Sequence, residues 1–450
     1  MLAYRAGAPI LVRQFLADVG RVSAALRAGG SLLNVCGDRY RFAVGLAAAL
    51  ATGKVSLLPS TRTPEVIAHL RSFAPDAFCL TDEDDCDVEL PQLRFPDAPA
   101  AHSGGASSTL TRSTLTCSTL ARVPRIEAGQ RAAWVFTSGS TGTPVPHEKT
   151  FGRLVDCMRI EATRLGLADG ISHAIVATVP PQHMYGFEAS VLLPLASGNA
   201  LTAERPFYPA DICAVLASVP RPRVLITTPI HLRALMAASL TIPDTDLIVS
   251  ATAPLSAQLA AEVEQRCRTR LLEIYGTTET GSIAVRRTTA TAEWRLWPEV
   301  TLEPRAGETW AHGGHIEQPT RMCDRLEVLS RGRFLLHGRL ADLVNIAGKR
   351  SSLAYLNHQL NSIPGVLDGA FFHSEAAGGD ATVSRVGACV VAPGLDAAAI
   401  AAELRRRVDP VFLPRPLLLV PSLPRTSAGK LPQEALRSLA AAQPKPARAV

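Results

Sequence analysis

Lysine is scarce in this chain: of 46 basic residues only five are lysines, Lys54, Lys149, Lys349, Lys430 and Lys445. A nucleic-acid-binding surface gathers basic residues into a stripe or tail, whereas the arginines here are scattered, so the net charge of +6 does not argue for such a partner. Each lysine is instead a minority choice to be read individually. Aromatic residues are also few, at 5% of the chain. The nine cysteines (36, 79, 86, 117, 157, 213, 267, 323 and 389) form no CxxC pair and no short His/Cys spacing, which excludes a zinc-ribbon type of site and reads as neutral thiols in a reducing compartment. No apolar stretch reaches the roughly 18 residues of a spanning helix. The N-terminus MLAYRAGAPILVRQF lacks an apolar core followed by a small-residue cleavage site, so a cytoplasmic protein without a membrane span is expected. The GxxxxGK[ST] signature of phosphate-loop nucleotide hydrolases is absent too.

What is present is enough apolar material for sizeable cores: 47% hydrophobic against 19% charged over 450 residues, a length that implies two or more domains. From Leu32 to Pro59 a short apolar strand (LLNVC), an Ala- and Leu-rich helix and a second strand (VSLLP) follow one another. The Ser-, Thr- and Ala-rich stretch from Pro96 to Ala121 has no periodic apolar face and reads as a surface loop. Beyond residue 131, strands such as AAWVFTS, HAIVATVP, RVLITTP and DLIVSATAP alternate with helical stretches at 208–218 and 255–267, the pattern of parallel βαβ units. RFLLHGR and LADLVNIAGKR read as short strands and a turn. They lead to a helix near 353–361, strands near 366–373 and 385–392 and a helix at 395–407, a small α+β domain at the end of an otherwise α/β chain.

Four segments have the residue types that phosphate chemistry needs. TSGSTGTP (137–144) follows a buried strand with Gly, Ser and Thr, so that backbone N–H groups and hydroxyls can converge on an anion; a plain linker has the same composition. EIYGTTETG (273–281) ends a strand with a ring that can stack on a purine, hydroxyls for a phosphate and a carboxylate for a hard cation. The same residues would serve a strand-to-turn junction that merely satisfies its own backbone. HGRLADLVNIAGKR (337–350) carries a Gly-Arg-x-x-Asp turn, which is also an ordinary charged turn. LPRTSAGKL (423–431) presents Lys430 on a loop, able to offset charge when a carboxylate attacks a phosphate or simply to sit in solvent.

In that order the four resemble the adenylate-forming superfamily of acyl- and aryl-CoA synthetases, luciferases and peptide-synthetase adenylation domains, over roughly residues 30–440. TSGSTGTP looks like its phosphate loop, YGTTE (275–279) its adenine and metal segment, GRLAD (338–342) its hinge and PRTSAGK (424–430) its catalytic lysine loop. SATAPL (250–255) is similar to its adenine-contacting segment and PPQHMYGFE (180–188) to the one carrying a histidine at the acyl pocket. The resemblance implies a large N-terminal adenylation domain of βαβ units with packed sheets (1–337), a hinge (338–342) and a small mobile C-terminal α+β lid (343–450). It implies ATP and Mg²⁺ as cofactors. Thr137, Ser138, Gly139, Ser140, Thr141 and Gly142 would hold phosphates; Ala251, Thr252, Ala253, Tyr275, Gly276 and Thr277 would surround the adenine; Thr278 would touch the α-phosphate. Glu279 would bind Mg²⁺, Asp324 and Arg339 would take the ribose hydroxyls, Lys430 would bridge the acyl carboxylate and α-phosphate, and His183 would gate the acyl pocket.

The chain departs from the family pattern at Val145 and Pro146, where Lys-Gly is usual, leaving Lys149 as the nearest substitute, and at Ala341 and Asn345 near the hinge. The resemblance therefore carries adenylation further than thioester formation. For the acid, His183, Met184, Tyr185, Gly186, Phe187 and Glu188 form an aromatic and apolar group suited to a flat ring or short chain, although several are equally core residues. HMYGFE and the short length resemble aromatic-acid ligases of aryl polyene pigment biosynthesis, implying 4-hydroxybenzoate or a coumarate-like acid. The acceptor implied is CoA or the phosphopantetheine of a separate acyl carrier protein. An amino-acid or fatty-acid adenylating enzyme, with Glu188 imitating the family's amino-group partner, and an inactive nucleotide-binding homologue remain alternatives.

Overall fold

A computed structural model describes the chain apart from residue 60 and residues 97–122, 139–143, 331, 340–342, 347–348, 375–384, 427–430 and 443–450. The expected surface loop from Pro96 to Ala121 thus lies almost wholly outside the described residues. The chain divides into two compact units, one of Met1–Phe207, Asp211–Ile226 and Thr277–Ser282, the other of Tyr208–Ala210, Thr227–Gly276 and Ile283–Val450.

The first stretch runs β1 (Ala3–Arg5), β2 (Ala8–Ile10), α1 (Val12–Ala25), β3 (Ser31–Asn34), α2 (Arg39–Ala51), β4 (Val55–Leu58), α3 (Pro64–Phe73), β5 (Phe78–Thr81), β6 (Gln92–Arg94), β7 (Arg131–Ser138), β8 (Pro144–Thr150) and α4 (Phe151–Leu165). It continues with β9 (Ala174–Ala177), α5 (Met184–Gly186), a π-helical turn Phe187–Leu192, α6 (Leu193–Ser197), β10 (Ala200–Thr202), α7 (Pro209–Ser218) and β11 (Arg223–Thr227). One sheet has the order β6-β5-β3-β4-β7-β8, parallel except for β8, and a second run has the order β11-β9-β10-β1-β2. The near-continuous apolar strands fit this arrangement, because parallel strands are covered on both faces. Leu33, Leu57, Cys79 and Phe136 pack with Ile67 and Leu70 of α3, and Phe73 meets Trp134 and Phe136 edge-on.

In the second unit come α8 (Pro229–Ala237), β12 (Leu247–Ser250), α9 (Ala257–Cys267), β13 (Arg270–Thr277), β14 (Gly281–Arg286), β15 (Trp294–Leu296), β16 (Thr301–Arg305), β17 (Glu308–His312), β18 (Thr320–Arg321), β19 (Asp324–Ser330) and β20 (Arg333–Arg339). β12 and β13 are parallel, but β14, β15, β20 and β19 continue the sheet with antiparallel pairs, a change that apolar periodicity alone does not signal. β16, β17 and β18 form a small antiparallel sheet. The end of the chain is the expected α+β body: the hairpin β21 (Leu343–Ile346) and β22 (Lys349–Ser352), α10 (Leu353–Asn361), β23 (Asp368–Ser374), β24 (Arg385–Val391), α11 (Ala397–Arg405), β25 (Leu417–Leu419) and α12 (Gln433–Ala442). Strand alternation separates its two cores. Phe371, Val386, Ala388 and Val390 join Leu356, Leu360, Ile400 and Leu404, while Ala370, Phe372 and Cys389 face Val420 and Leu436. Among the described residues no helix is long and apolar enough to cross a membrane.

One buried side chain ties the first unit together. Arg39, at the start of α2, is fully buried, and its guanidinium donates to Ser190 Oγ (3.0 Å) and to the carbonyls of Thr202 (3.1 Å), Glu204 (2.6 Å), Ala177 (2.8 Å) and Val179 (3.0 Å). It thereby closes the C-terminal ends of β9 and β10 against the π-helical turn. A planar fork with five N–H groups suits this constellation, and no other side chain offers as many donors. Arg39→Met should lower unfolding stability by about 3–5 kcal/mol because it strands buried carbonyls. Urea unfolding followed by tryptophan fluorescence checks this, and a loss below about 1 kcal/mol would contradict the assignment.

Candidate active site

The residues that the resemblance assigns to the nucleotide fall into two groups along β13 and the turn after it. In the second unit Tyr275 of β13 is 7% exposed, with its ring 5.6 Å from that of Trp294 and 5.5 Å from that of Phe334. Its hydroxyl donates to Asp324 Oδ2 at 2.7 Å. Asp324 opens β19 and is the register partner of Arg339, the last residue of β20. Antiparallel pairing thus makes neighbours of the two residues assigned to the ribose, and Tyr275 orients one of them.

Ala251, Thr252 and Ala253 follow β12. Ala251 N–H donates to the Thr227 carbonyl at 3.4 Å, and Thr252 has φ of 77°, a left-handed conformation in a β-branched residue. Such a residue stores on the order of 1–3 kcal/mol, and strain of this kind concentrates at binding sites. The segment is tied to β13 through Glu273, which accepts the Leu255 N–H at 3.2 Å, Arg286 Nε at 2.8 Å and the Thr288 hydroxyl at 2.9 Å. Burial raises the Glu273 pKa, while Arg286 and these hydrogen bonds pull it down.

In the first unit Thr137 and Ser138 end β7; Gly139, Ser140, Thr141, Gly142 and Lys430 lie outside the described residues, as do residues 340–342 of the expected hinge. The Thr137 hydroxyl is hydrogen-bonded to His147 Nε2 at 2.9 Å, and that nitrogen is 3.8 Å from Glu279 Oε1. Burial lowers the His147 pKa against the raising effect of Glu279, and the charge of Lys149 lowers it further. Gly276 is exposed and Thr278 half-buried, while Thr277 and Thr280 close the turn by exchanging N–H to hydroxyl bonds at 3.2 Å. Lys149 Nζ donates to the Glu279 carbonyl at 2.7 Å. The Glu279 carboxylate is 31% exposed. It fits Mg²⁺, which takes one or two carboxylates and otherwise prefers water and phosphate oxygens. Among the described residues there is no cluster of three or more metal-ligating side chains.

In the HMYGFE segment His183 caps α5, its Nδ1 accepting the Tyr185 N–H at 3.3 Å. His183 is half-buried, whereas Met184, Tyr185, Gly186, Phe187 and Glu188 are buried. Gly186 is required by packing, since a Cβ there would collide with the carbonyl oxygen of Pro180. Glu188 accepts the Ser282 N–H at 3.2 Å, and Ser282 Oγ donates at 2.5 Å to a second buried carboxyl, Glu161 of α4. The Cys157 thiol lies 3.3 Å from Ser282 Oγ. Burial raises the pKa of Glu161 to about 7 and that of Glu188 to about 8, Glu161 pushing the latter up and Lys149 drawing it down. Sequence reasoning missed Glu161, Ser282 and His147. His147 alone had a local signal, sharing one face of β8 with Lys149 by strand alternation.

Glu161 predicts a pH dependence. The unfolded carboxyl ionises near its ordinary 4.5 and the folded one only near 7, so the folded state loses stability as pH rises between those values. Glu161→Gln, which does not titrate, should gain on the wild type by up to about 3 kcal/mol between pH 5 and 8. Unfolding midpoints at both pH values check this, and a difference that does not change with pH would contradict it.

The family profile of AMP-binding enzymes matches residues 12–330. A 4-coumarate–CoA ligase of Rhodobacter capsulatus is 31% identical over 303 residues, covering 65% of this chain and 73% of the relative. A 4-coumarate–CoA ligase of Halorhodospira halophila is 30% identical over 227 residues, covering 50% and 55%. Among solved structures, ATP-bound MatB from Rhodopseudomonas palustris superposes with a TM-score of 0.78 at 20% identity, over 97% of this chain and 95% of that one. MenE from Bacillus subtilis, in complex with ATP and a magnesium ion, gives 0.75 at 16% identity over 94% of each. At such identities the structures speak for the fold, a larger N-terminal and a smaller C-terminal domain, and the profile speaks for the family. The chain belongs to the AMP-binding enzyme family and is an AMP-forming acid–thiol ligase.

Proposed function

We propose that this ligase activates an aromatic carboxylic acid, of the 4-hydroxybenzoate or coumarate kind, to an acyl-adenylate and then passes the acyl group to the thiol of CoA or of a carrier-protein phosphopantetheine. The observation that supports the nucleotide half most directly is the Tyr275–Asp324 hydrogen bond with Asp324 set opposite Arg339 in register. The aromatic acid rests on the 4-coumarate–CoA ligase relatives.

The carboxylate oxygen attacks the α-phosphorus, the bond to the bridging oxygen of the β-phosphate breaks, and pyrophosphate leaves. Sulfur then attacks the acyl carbon and AMP departs with the carboxylate oxygen. The first step brings two anions together, so positive charge and oriented donors must offset the repulsion. Mg²⁺, when bound, supplies charge at the phosphates, and Glu279 would hold it. Thr137, Ser138 and the rest of TSGSTGTP would take the departing phosphates through hydroxyls and N–H groups, since Val145 stands where the family's lysine is usual. Asp324 and Arg339 would fix the ribose, and Thr278 would face the α-phosphate. Lys430 would bridge the attacking carboxylate and the α-phosphate. His183, the half-buried member of the HMYGFE group, would border the acid. Rotation of residues 343–450 about 338–342 would exchange one half-reaction for the other.

The buried state of Glu188 bears on the amino-acid alternative. With its carboxyl accepting Ser282 N–H and its pKa pushed to about 8 by burial, it is a poor partner for a substrate ammonium. Pyrophosphate exchange across aromatic, fatty and amino acids should therefore be strongest with hydroxylated aromatic acids, with AMP as the nucleotide product. Exchange with no acid, or ADP formation, would overturn the reading. Lys430→Ala should cut exchange by about 100-fold or more while ATP binding changes little, because the contact is made mainly in the transition state. Near-normal exchange in that variant would show the assignment to be wrong.

A further inference from the structure

Lys149 is one of only five lysines, yet it is 4% exposed on β8, opposite Ala133 of β7. Its Nζ donates to the backbone carbonyl of Glu279 at 2.7 Å. A neutral amide or hydroxyl would satisfy that carbonyl, and burying an ammonium is costly. The charge of Lys149 also acts on Glu188, whose carboxyl accepts the Ser282 N–H while Glu161 accepts from Ser282 Oγ, three residues past Glu279. The segment that carries Glu279 is therefore held at both ends. Thr277 and Thr280 clamp the turn from within, and His147, on the same face of β8 as Lys149, stands 3.8 Å from the Glu279 carboxylate.

The position that the family's phosphate-loop lysine would occupy is Val145, four residues before Lys149 on the same strand. At about 3.3 Å per residue the two Cα atoms are some 13 Å apart. Lys149 thus reaches the peptide at Glu279 from a different place on the strand.

We propose that Lys149 is a positioning residue: by holding the peptide carbonyl of Glu279 it sets the direction in which the Glu279 carboxylate meets a divalent cation. The proposal rests on the reading of Glu279 as the cation's protein ligand. Its effect is therefore on metal affinity in the nucleotide complex and not on nucleotide affinity as such.

The test uses Mn²⁺ as the probe, free Mn²⁺ being followed by electron paramagnetic resonance in titrations of full-length protein with a non-hydrolysable ATP analogue and no acid. Lys149→Met should weaken Mn²⁺ binding about tenfold while metal-free affinity for the analogue changes less than twofold. Lys149→Gln, which keeps a polar group and spares folding, should fall between the two, and Lys149→Met should have no further effect in a Glu279→Gln background. Wild-type Mn²⁺ affinity in either folded variant overturns the proposal, and so does an equal loss of metal-free nucleotide binding, which would place Lys149 on a phosphate. Because no acid is present, the outcome is separate from acid activation. A wild type that binds Mn²⁺ through Glu279 but exchanges pyrophosphate with no acid would sink the functional reading alone.

Discussion

An ammonium taken out of water needs an oxygen to accept its protons, and that constraint ties the buried Lys149 to the turn that carries Glu279. Its bond to the Glu279 carbonyl reaches from β8 to the turn that follows β13, a separation of 130 residues in the chain. The carboxyls of Glu161, from α4, and Glu188, from the π-helical turn, meet at Ser282, three residues past Glu279. The peptide at Glu279 is thereby held by a buried charge from another strand.

β13 plays the matching part in the second unit. Alternation places Glu273 and Tyr275 on the same face, two residues apart. Glu273 holds the segment after β12 through the Leu255 N–H and is itself held by Arg286, whose guanidinium lies 4.4 Å over the ring of Trp294. Tyr275 packs on that same ring and orients Asp324. One strand thus holds both the segment after β12, through Leu255, and Asp324.

The regular parts of this fold were readable because they are local. LLNVC, the Ala-rich helix after it and VSLLP became β3, α2 and β4, and the strand and helix series from residue 343 onward matches β21 to α11 closely. The order of the four motifs carried the family. The antiparallel continuation β14-β15-β20-β19 was not legible, since its pairing depends on partners far along the chain. Arg39 belongs to no motif, and only folding brings it to Ser190 and the ends of β9 and β10. Glu161 and Ser282, 121 residues apart, belong to no motif. HMYGFE suggested a pocket wall; Met184, Tyr185, Phe187 and Glu188 are buried, and an apolar segment is buried in either role.

Attack of the acid's own carboxylate on the α-phosphorus of ATP is tested most directly by supplying the best-exchanging aromatic acid with both carboxylate oxygens as ¹⁸O, adding ATP and the thiol acceptor, and weighing the nucleotide product. The expected product is AMP that carries one ¹⁸O atom, left behind when sulfur takes the acyl group. Unlabelled AMP, or ADP in its place, would contradict it.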